Sequence, residues 1–168
     1  MPHIIVDDIR QINFRDLKSQ AKIKAIGFDK DNCLTAPYVS TIYPLFKEAW
    51  IECKDTFSKE NAQKLEESLG VAVLRHDQKK PSGGQIFKER LAPIPADQVA
   101  FAGDRILTDI LFGNRNGNLT IWTRKIITEE GDNKAALIVS TFYNNDCFIY
   151  KGWGGVYFID ATYGIQVD

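Results

Sequence analysis

Residues 23–35 read IKAIGFDKDNCLT. The apolar run IKAIGF predicts a buried strand, and the acidic loop DKDN follows it at once. The same grammar recurs on either side. Ile4–Val6 predicts a short strand, VAVL (71–74) a strand entering the basic loop RHDQKKP, QVAFA (98–102) a strand entering GDR, and LTIWT (119–123) another strand. Helical patterns lie between them. NFRDLKSQ (13–20) suits a short helical turn, GQIFKERL (84–91) a helix, and ILTDILFGNR (106–115) another. Alternation of strand, loop and helix predicts an α/β fold, a parallel sheet with helices on both faces. Its charged loops then share the C-terminal ends of the strands, where such folds keep their sites.

Residues 44–57, PLFKEAWIECKDTF, predict an amphipathic helix with Pro44 at a first helical position. Leu45, Phe46, Ala49, Trp50, Cys53 and Phe57 fall on one face, which suits a core stripe. A membrane-facing stripe is the competing reading. Ser58 suits the cap of a second helix, SKENAQKLEESL, closed by Gly70. From Ala135 onward the chain changes character: one Lys, three Asp, no Glu and many aromatic and β-branched residues. That stretch, residues 135–168, predicts a β-rich tail with Gly and Asn turns, set apart from residues 1–134.

Composition narrows the classes. A chain of 168 residues suits one domain, and 44% apolar with 26% charged residues is ordinary for a globular protein. Twenty-one basic against twenty-two acidic side chains leave a net charge of −1, which argues against holding nucleic acid by bulk charge. Cys33, Cys53 and Cys147 are widely spaced, with no CxxC and no clustered His, so neither a disulfide framework nor a structural zinc site is expected. The sequence has no run of apolar residues long enough to span a bilayer as a helix. The leader MPHIIVDDIRQINF lacks the pattern of a secretory signal, and Asp7 and Asp8 make it a poor mitochondrial presequence.

Three stretches carry chemistry. FDKDNCLT places Asp29 and Asp31 two apart, the second loop holds Lys79-Lys80-Pro81, and AGDRILTD places Asp104 and Asp109 five apart. Each alone is weak: a DxD can close a turn, and Asp104 can cap a helix. Together, at successive strand ends, they form one device. Carboxylates from two strands can hold Mg²⁺, a hard ion that wants oxygen ligands. One Asp can then attack phosphorus, a second carboxylate can move protons, and a Lys can stabilise charge on the transferred group. A phospho-receiver domain uses similar groups in a different order, with its Lys last. A cysteine phosphatase needs an Arg that neither Cys33 nor Cys53 has at the required spacing, and no GxxxxGK or GxGxxG loop occurs.

FDKDNCLT, KKP and AGDRILTD resemble motifs one, three and four of the haloacid dehalogenase (HAD) superfamily. More closely, PHIIVDDI, DKDNCLT, LGVAVLRHDQKKP and GDRILTDILFGNRNG are similar to the mitochondrial phosphatidylglycerophosphate phosphatases and their bacterial relatives. The resemblance covers about residues 2–57 and 62–124 and not the tail. It implies a HAD-like Rossmannoid sheet, Mg²⁺ as cofactor, and removal of phosphate from phosphatidylglycerophosphate in the pathway to cardiolipin. It implies Asp29 as nucleophile and metal ligand, and Asp31 as general acid/base that ligates through its carbonyl. Lys80 becomes the motif-three lysine, and Asp104 and Asp109 hold the metal or its water. Asn32 would shape the phosphate loop, and Arg75 and His76 would meet the anionic headgroup. A phospholipid substrate implies peripheral membrane contact, on the matrix side of the mitochondrial inner membrane.

The chain departs from the pattern at one place. The superfamily's second motif is a strand ending in a Ser or Thr that holds phosphate. Here Phe57 runs directly into SKENAQKLEE, with Thr56 and Ser58 as the hydroxyls at the join. A sheet lacking that strand, rebuilt from the tail, is one expectation. A weakly active or inactive phosphate- or lipid-binding protein of the same fold is the alternative function.

Overall fold

The computed structural model describes residues 1–57, 72–74, 84–128 and 156–160. Among these residues six strands form one sheet: β1 (Ile4–Val6), β2 (Ala25–Asp29), β3 (Ala72–Leu74), β4 (Val99–Gly103), β5 (Leu119–Thr123) and β6 (Val156–Asp160). Their spatial order is β1-β5-β4-β2-β6-β3. The first four in that order are mutually parallel, as the alternating sequence predicts. β6 enters antiparallel between β2 and β3. The position beside β2 is therefore filled from residues 135–168, as the expectation of a sheet rebuilt from the tail had it. The other strands expected in residues 135–168 lie outside the described residues.

Among the described residues four α-helices flank the sheet: α1 (Phe14–Ser19), α2 (Lys47–Phe57), α3 (Gly84–Leu91) and α4 (Leu111–Arg115), the last entered through a π-helical turn at Ile106–Ile110. The sequence pattern ILTDILFGNR predicts one continuous helix; the wider first turn is a finding of the structure. Asn13 caps α1 by accepting from the Asp16 N–H at 3.0 Å. The helix expected to begin at Ser58 and end at Gly70 lies outside the described residues.

Successive side chains of a strand point to opposite faces, so a strand in mid-sheet must be apolar on both. β2 and β4 meet that requirement, with every residue buried. On one face Ile26, Phe28, Ala100 and Ala102 pack against Phe14 and Leu17 of α1 and Trp50, Cys53 and Phe57 of α2. On the other, Ala25, Val99 and Phe101 pack against Phe87 and Leu91 of α3 and Phe112 of α4. Phe101, Phe87 and Phe112 form a ring cluster with centroids 5.1–5.9 Å apart. Gly113 lets α4 approach the sheet, since a Cβ there would stand 2.4 Å from the Thr120 methyl.

The stripe of α2 faces the core, with one correction. Phe46, Trp50, Cys53 and Phe57 are buried, but Leu45 is exposed. Residues Pro44–Phe46 form a 3₁₀ turn and the α-helix begins at Lys47. The tighter turn shifts the angular positions that a 3.6-residue repeat assigns, and Leu45 rotates outward. Among the described residues no helix is long and apolar enough to cross a membrane.

Candidate active site

The parallel register pairs Phe28 with Ala102, so β2 and β4 end side by side at Asp29 and Gly103. Asp104 follows β4 directly. Asp109 returns from the π-helical turn onto the same edge. Its carboxylate is held there by the Arg105 N–H, which donates to Oδ2 at 3.0 Å, while the Asp109 N–H donates to the Arg105 carbonyl at 2.8 Å. Gly103 makes the return possible: a Cβ at that position would stand 2.4 Å from the Asp109 Cβ. From β5, the Trp122 Nε1–H donates to the Asp104 carbonyl at 2.9 Å. Two of the loops that the sequence singled out thus converge on one point.

Asp29, Asp104 and Asp109 are buried at 2%, 6% and 1% exposure. Each offers a carboxylate oxygen within 4.8 Å of the other two. At that separation two unit charges repel by about 3–4 kcal/mol at an effective dielectric near 20. Positive charge beside the three carboxylates offsets that repulsion. Arg105 supplies part of it, with Nε 3.7 Å from Asp104 Oδ2. The donor set is carboxylate oxygen only, which suits a hard cation.

The loop after β2 is a tight turn. The Asn32 N–H donates to the Thr35 carbonyl at 2.8 Å, and the Leu34 and Thr35 N–H groups both donate to the Lys30 carbonyl. Asn32 takes φ 62°, a left-handed conformation that Asn tolerates better than most residues. It is buried, and its Oδ1 accepts from the Thr128 N–H at 3.1 Å. Asn32 thereby ties the loop to the segment after β5.

Asp31 stands apart from the three clustered carboxylates. Its Oδ1 accepts from Lys30 Nζ at 2.5 Å. The same ammonium donates to Thr35 Oγ1 at 3.3 Å and to the Val39 carbonyl at 2.7 Å. Lys80, Arg75 and His76, expected on the loop after β3, lie outside the described residues. So does Ser58.

The sequence reading assigned no part to Lys30, Arg105, Gly103, Trp122 or Cys33. Lys30 and Arg105 had a local signal, each lying next to an acidic residue in the motifs. Trp122 had none, because its partner is 18 residues away along the chain. Cys33 lies buried beside the cluster. Its thiol is pushed well above its ordinary pKa by burial, and the charges of Asp29, Asp104 and Asp109 add to that, while Thr123 Oγ1 donates to its sulfur at 3.6 Å. A thiol held protonated is no nucleophile.

The family model for mitochondrial PGP phosphatase matches residues 1–61 and 55–128. The two pieces overlap at residues 55–61, the join that follows α2. A chloroplastic phosphatidylglycerophosphate phosphatase of Chlamydomonas reinhardtii is 37% identical, the match covering 76% of this chain and 54% of that protein. A chloroplastic/mitochondrial counterpart from Arabidopsis thaliana is 35% identical over 77% of this chain and 42% of that protein. The mitochondrial phosphatidylglycerophosphatase of Saccharomyces cerevisiae is 30% identical over 61% and 67%. The chain spans about half the length of the first two relatives. No solved structure matches it significantly.

Proposed function

The chain belongs to the mitochondrial PGP phosphatase family, and we propose that it is a Mg²⁺-dependent phosphatase of the HAD type that converts phosphatidylglycerophosphate to phosphatidylglycerol, a step toward cardiolipin. The observation that carries this reading is the convergence of Asp29, Asp104 and Asp109 within 4.8 Å. The names of the relatives supply the substrate.

Asp29, Asp104 and Asp109 would hold the ion, with the Asp31 carbonyl. When bound, Mg²⁺ neutralises phosphate charge and lets a carboxylate approach phosphorus. An Asp29 oxygen forms a bond to phosphorus as the bond from phosphorus to the glycerol oxygen breaks. Asp31 gives its proton to that leaving oxygen. The product on the protein is an aspartyl-phosphate. Water then attacks the phosphorus and Asp31 takes its proton. The acyl-phosphate P–O bond breaks, freeing inorganic phosphate and restoring Asp29. Lys80 stabilises charge on the transferred group, Asn32 sets the loop, and Arg75 and His76 meet the headgroup. In this reading residues 1–134 form the phosphatase unit, the tail lends β6 to its sheet, and the protein works peripherally on the matrix side of the mitochondrial inner membrane.

One observation favours a second reading, a phosphate- or lipid-binding protein without turnover. The strand beside β2 is antiparallel and begins with Val156 opposite Asp29, where the superfamily's second motif would end in a hydroxyl. Losing one such donor costs about 10²-fold or more in rate. Phosphate release from phosphatidylglycerophosphate in mixed micelles, with Mg²⁺ or EDTA, separates the two. Turnover that needs Mg²⁺ and vanishes in Asp29→Asn is expected; no release from a folded wild-type protein gives the second reading.

A further inference from the structure

Asn32 to Phe46 is a run of fifteen residues without one charged side chain, in a chain where charged residues make up 26%. At that average, about four would be expected, so the gap reflects a local requirement. The run leaves the acidic loop and makes a closed excursion over the surface. Its base is fastened by the Tyr43 N–H, which donates to the Leu34 carbonyl at 2.9 Å, and by buried Ile42. The Val39 N–H donates to the Ala36 carbonyl at 3.1 Å and tightens the tip. At that tip Tyr38 is 87% exposed and Val39 41%, followed by exposed Ser40 and Thr41; Leu45 beyond is 59% exposed.

Two features show that the tip is built and held. Tyr38 takes φ 62°, an uncommon conformation for a bulky residue that persists only when surrounding structure imposes it. Lys30 holds the residue next to it: its ammonium joins the Val39 carbonyl at 2.7 Å to the Asp31 carboxylate at 2.5 Å. The tip is thus strutted to the loop that carries the candidate chemistry.

Given the phospholipid substrate proposed above, on which this step rests, we infer that the Tyr38–Thr41 tip, with Leu45, docks on the lipid bilayer and sets the site at headgroup depth. A narrow tip of one tyrosine, one valine and two hydroxyls suits the membrane interface, where amphipathic aromatic side chains are favoured. It is too small to be the apolar core of a stable protein interface. Lys47, the first charged residue after the uncharged run, is exposed, and a Lys near a bilayer surface is drawn to anionic headgroups.

The test uses the full chain and vesicles of phosphatidylcholine with phosphatidylglycerol. Co-sedimentation should fall about tenfold when Tyr38→Ser and Val39→Ser are combined, with circular dichroism unchanged. In a separate protein, Tyr38→Trp should add emission that brominated lipids quench beyond the wild-type level. Phosphate release from vesicle-borne phosphatidylglycerophosphate should fall with binding. Release from a water-soluble phosphomonoester should stay unchanged. The inference is overturned if the wild type does not bind vesicles, if the double variant binds as well as wild type, or if the added tryptophan escapes quenching. Loop-dependent binding without any phosphate release would sink the phosphatase reading and keep the docking surface. Phosphate release with loop-independent binding would do the reverse.

Discussion

A Cβ on Gly103 would stand 2.4 Å from the Cβ of Asp109, and 2.7 Å from one of its carboxylate oxygens. The last residue of β4 thus lacks a side chain because an acidic residue six positions later folds back into that space. Gly103→Ala should push Asp109 off the cluster with Asp29 and Asp104. A misplacement near 1 Å can cost about 10²-fold, so Mg²⁺-dependent phosphate release should fall by about that factor. More Mg²⁺ should be needed for half-maximal rate, and a magnesium titration of both proteins checks this.

Phe158 sits between Gly27 of β2 and Ala72 of β3. Its N–H faces one neighbour or the other, so Phe158→Pro removes a ladder hydrogen bond from the middle of the sheet. The loss should be on the order of 3 kcal/mol, or about 10 °C in Tm for a chain of this size. Thermal unfolding by circular dichroism measures it. An unchanged Tm would mean that β6 adds nothing to the sheet. Uncovered, β2 would be an apolar edge open to pairing with other chains.

Trp50 packs edge-on against Phe28, ring centroids 5.7 Å apart, and Phe28 immediately precedes Asp29. Trp50→Ala should cost about 3–5 kcal/mol through the cavity it leaves. Trp50→Phe, which keeps an aromatic ring there, should recover most of it. Urea unfolding of the two variants reads the difference as a change in midpoint.

Two acidic residues near β1 make stability depend on acid. Asp8 accepts from Arg10 Nε at 2.9 Å and Nη2 at 2.7 Å, and Asp7 accepts from Arg124 and Lys125, both at 2.6 Å. These partners hold both carboxyls below the usual carboxylate range. The unfolded chain therefore binds more protons than the folded one at low pH. Their contribution is complete above the unfolded pKa, about 4, and fades as pH falls through the depressed folded values. The Tm of wild type should drop below pH 4 more steeply than that of the Asp7→Asn, Asp8→Asn double variant.

Much of this molecule was determined by local sequence. Strands β2 and β4 are legible because a strand buried on both faces must be apolar at every position, and IKAIGF and QVAFA are close to that. Asp29 and Asp104 are legible because each stands at the end of such a strand, on the sheet edge where loops gather, and Asp109 because it follows Asp104 by five positions. The stripe of α2 follows from helical spacing. Tertiary structure decided the rest. No local pattern says that Val156–Asp160 pairs with a strand more than 120 residues earlier. No pattern places Lys30 between Asp31 and Val39, turns Leu45 outward, or brings Trp122 to Asp104. Periodicity reports which face of an element is apolar. Which neighbour covers that face, and which side chain reaches across to hold a loop, depends on contacts whose chain separation carries no local signature.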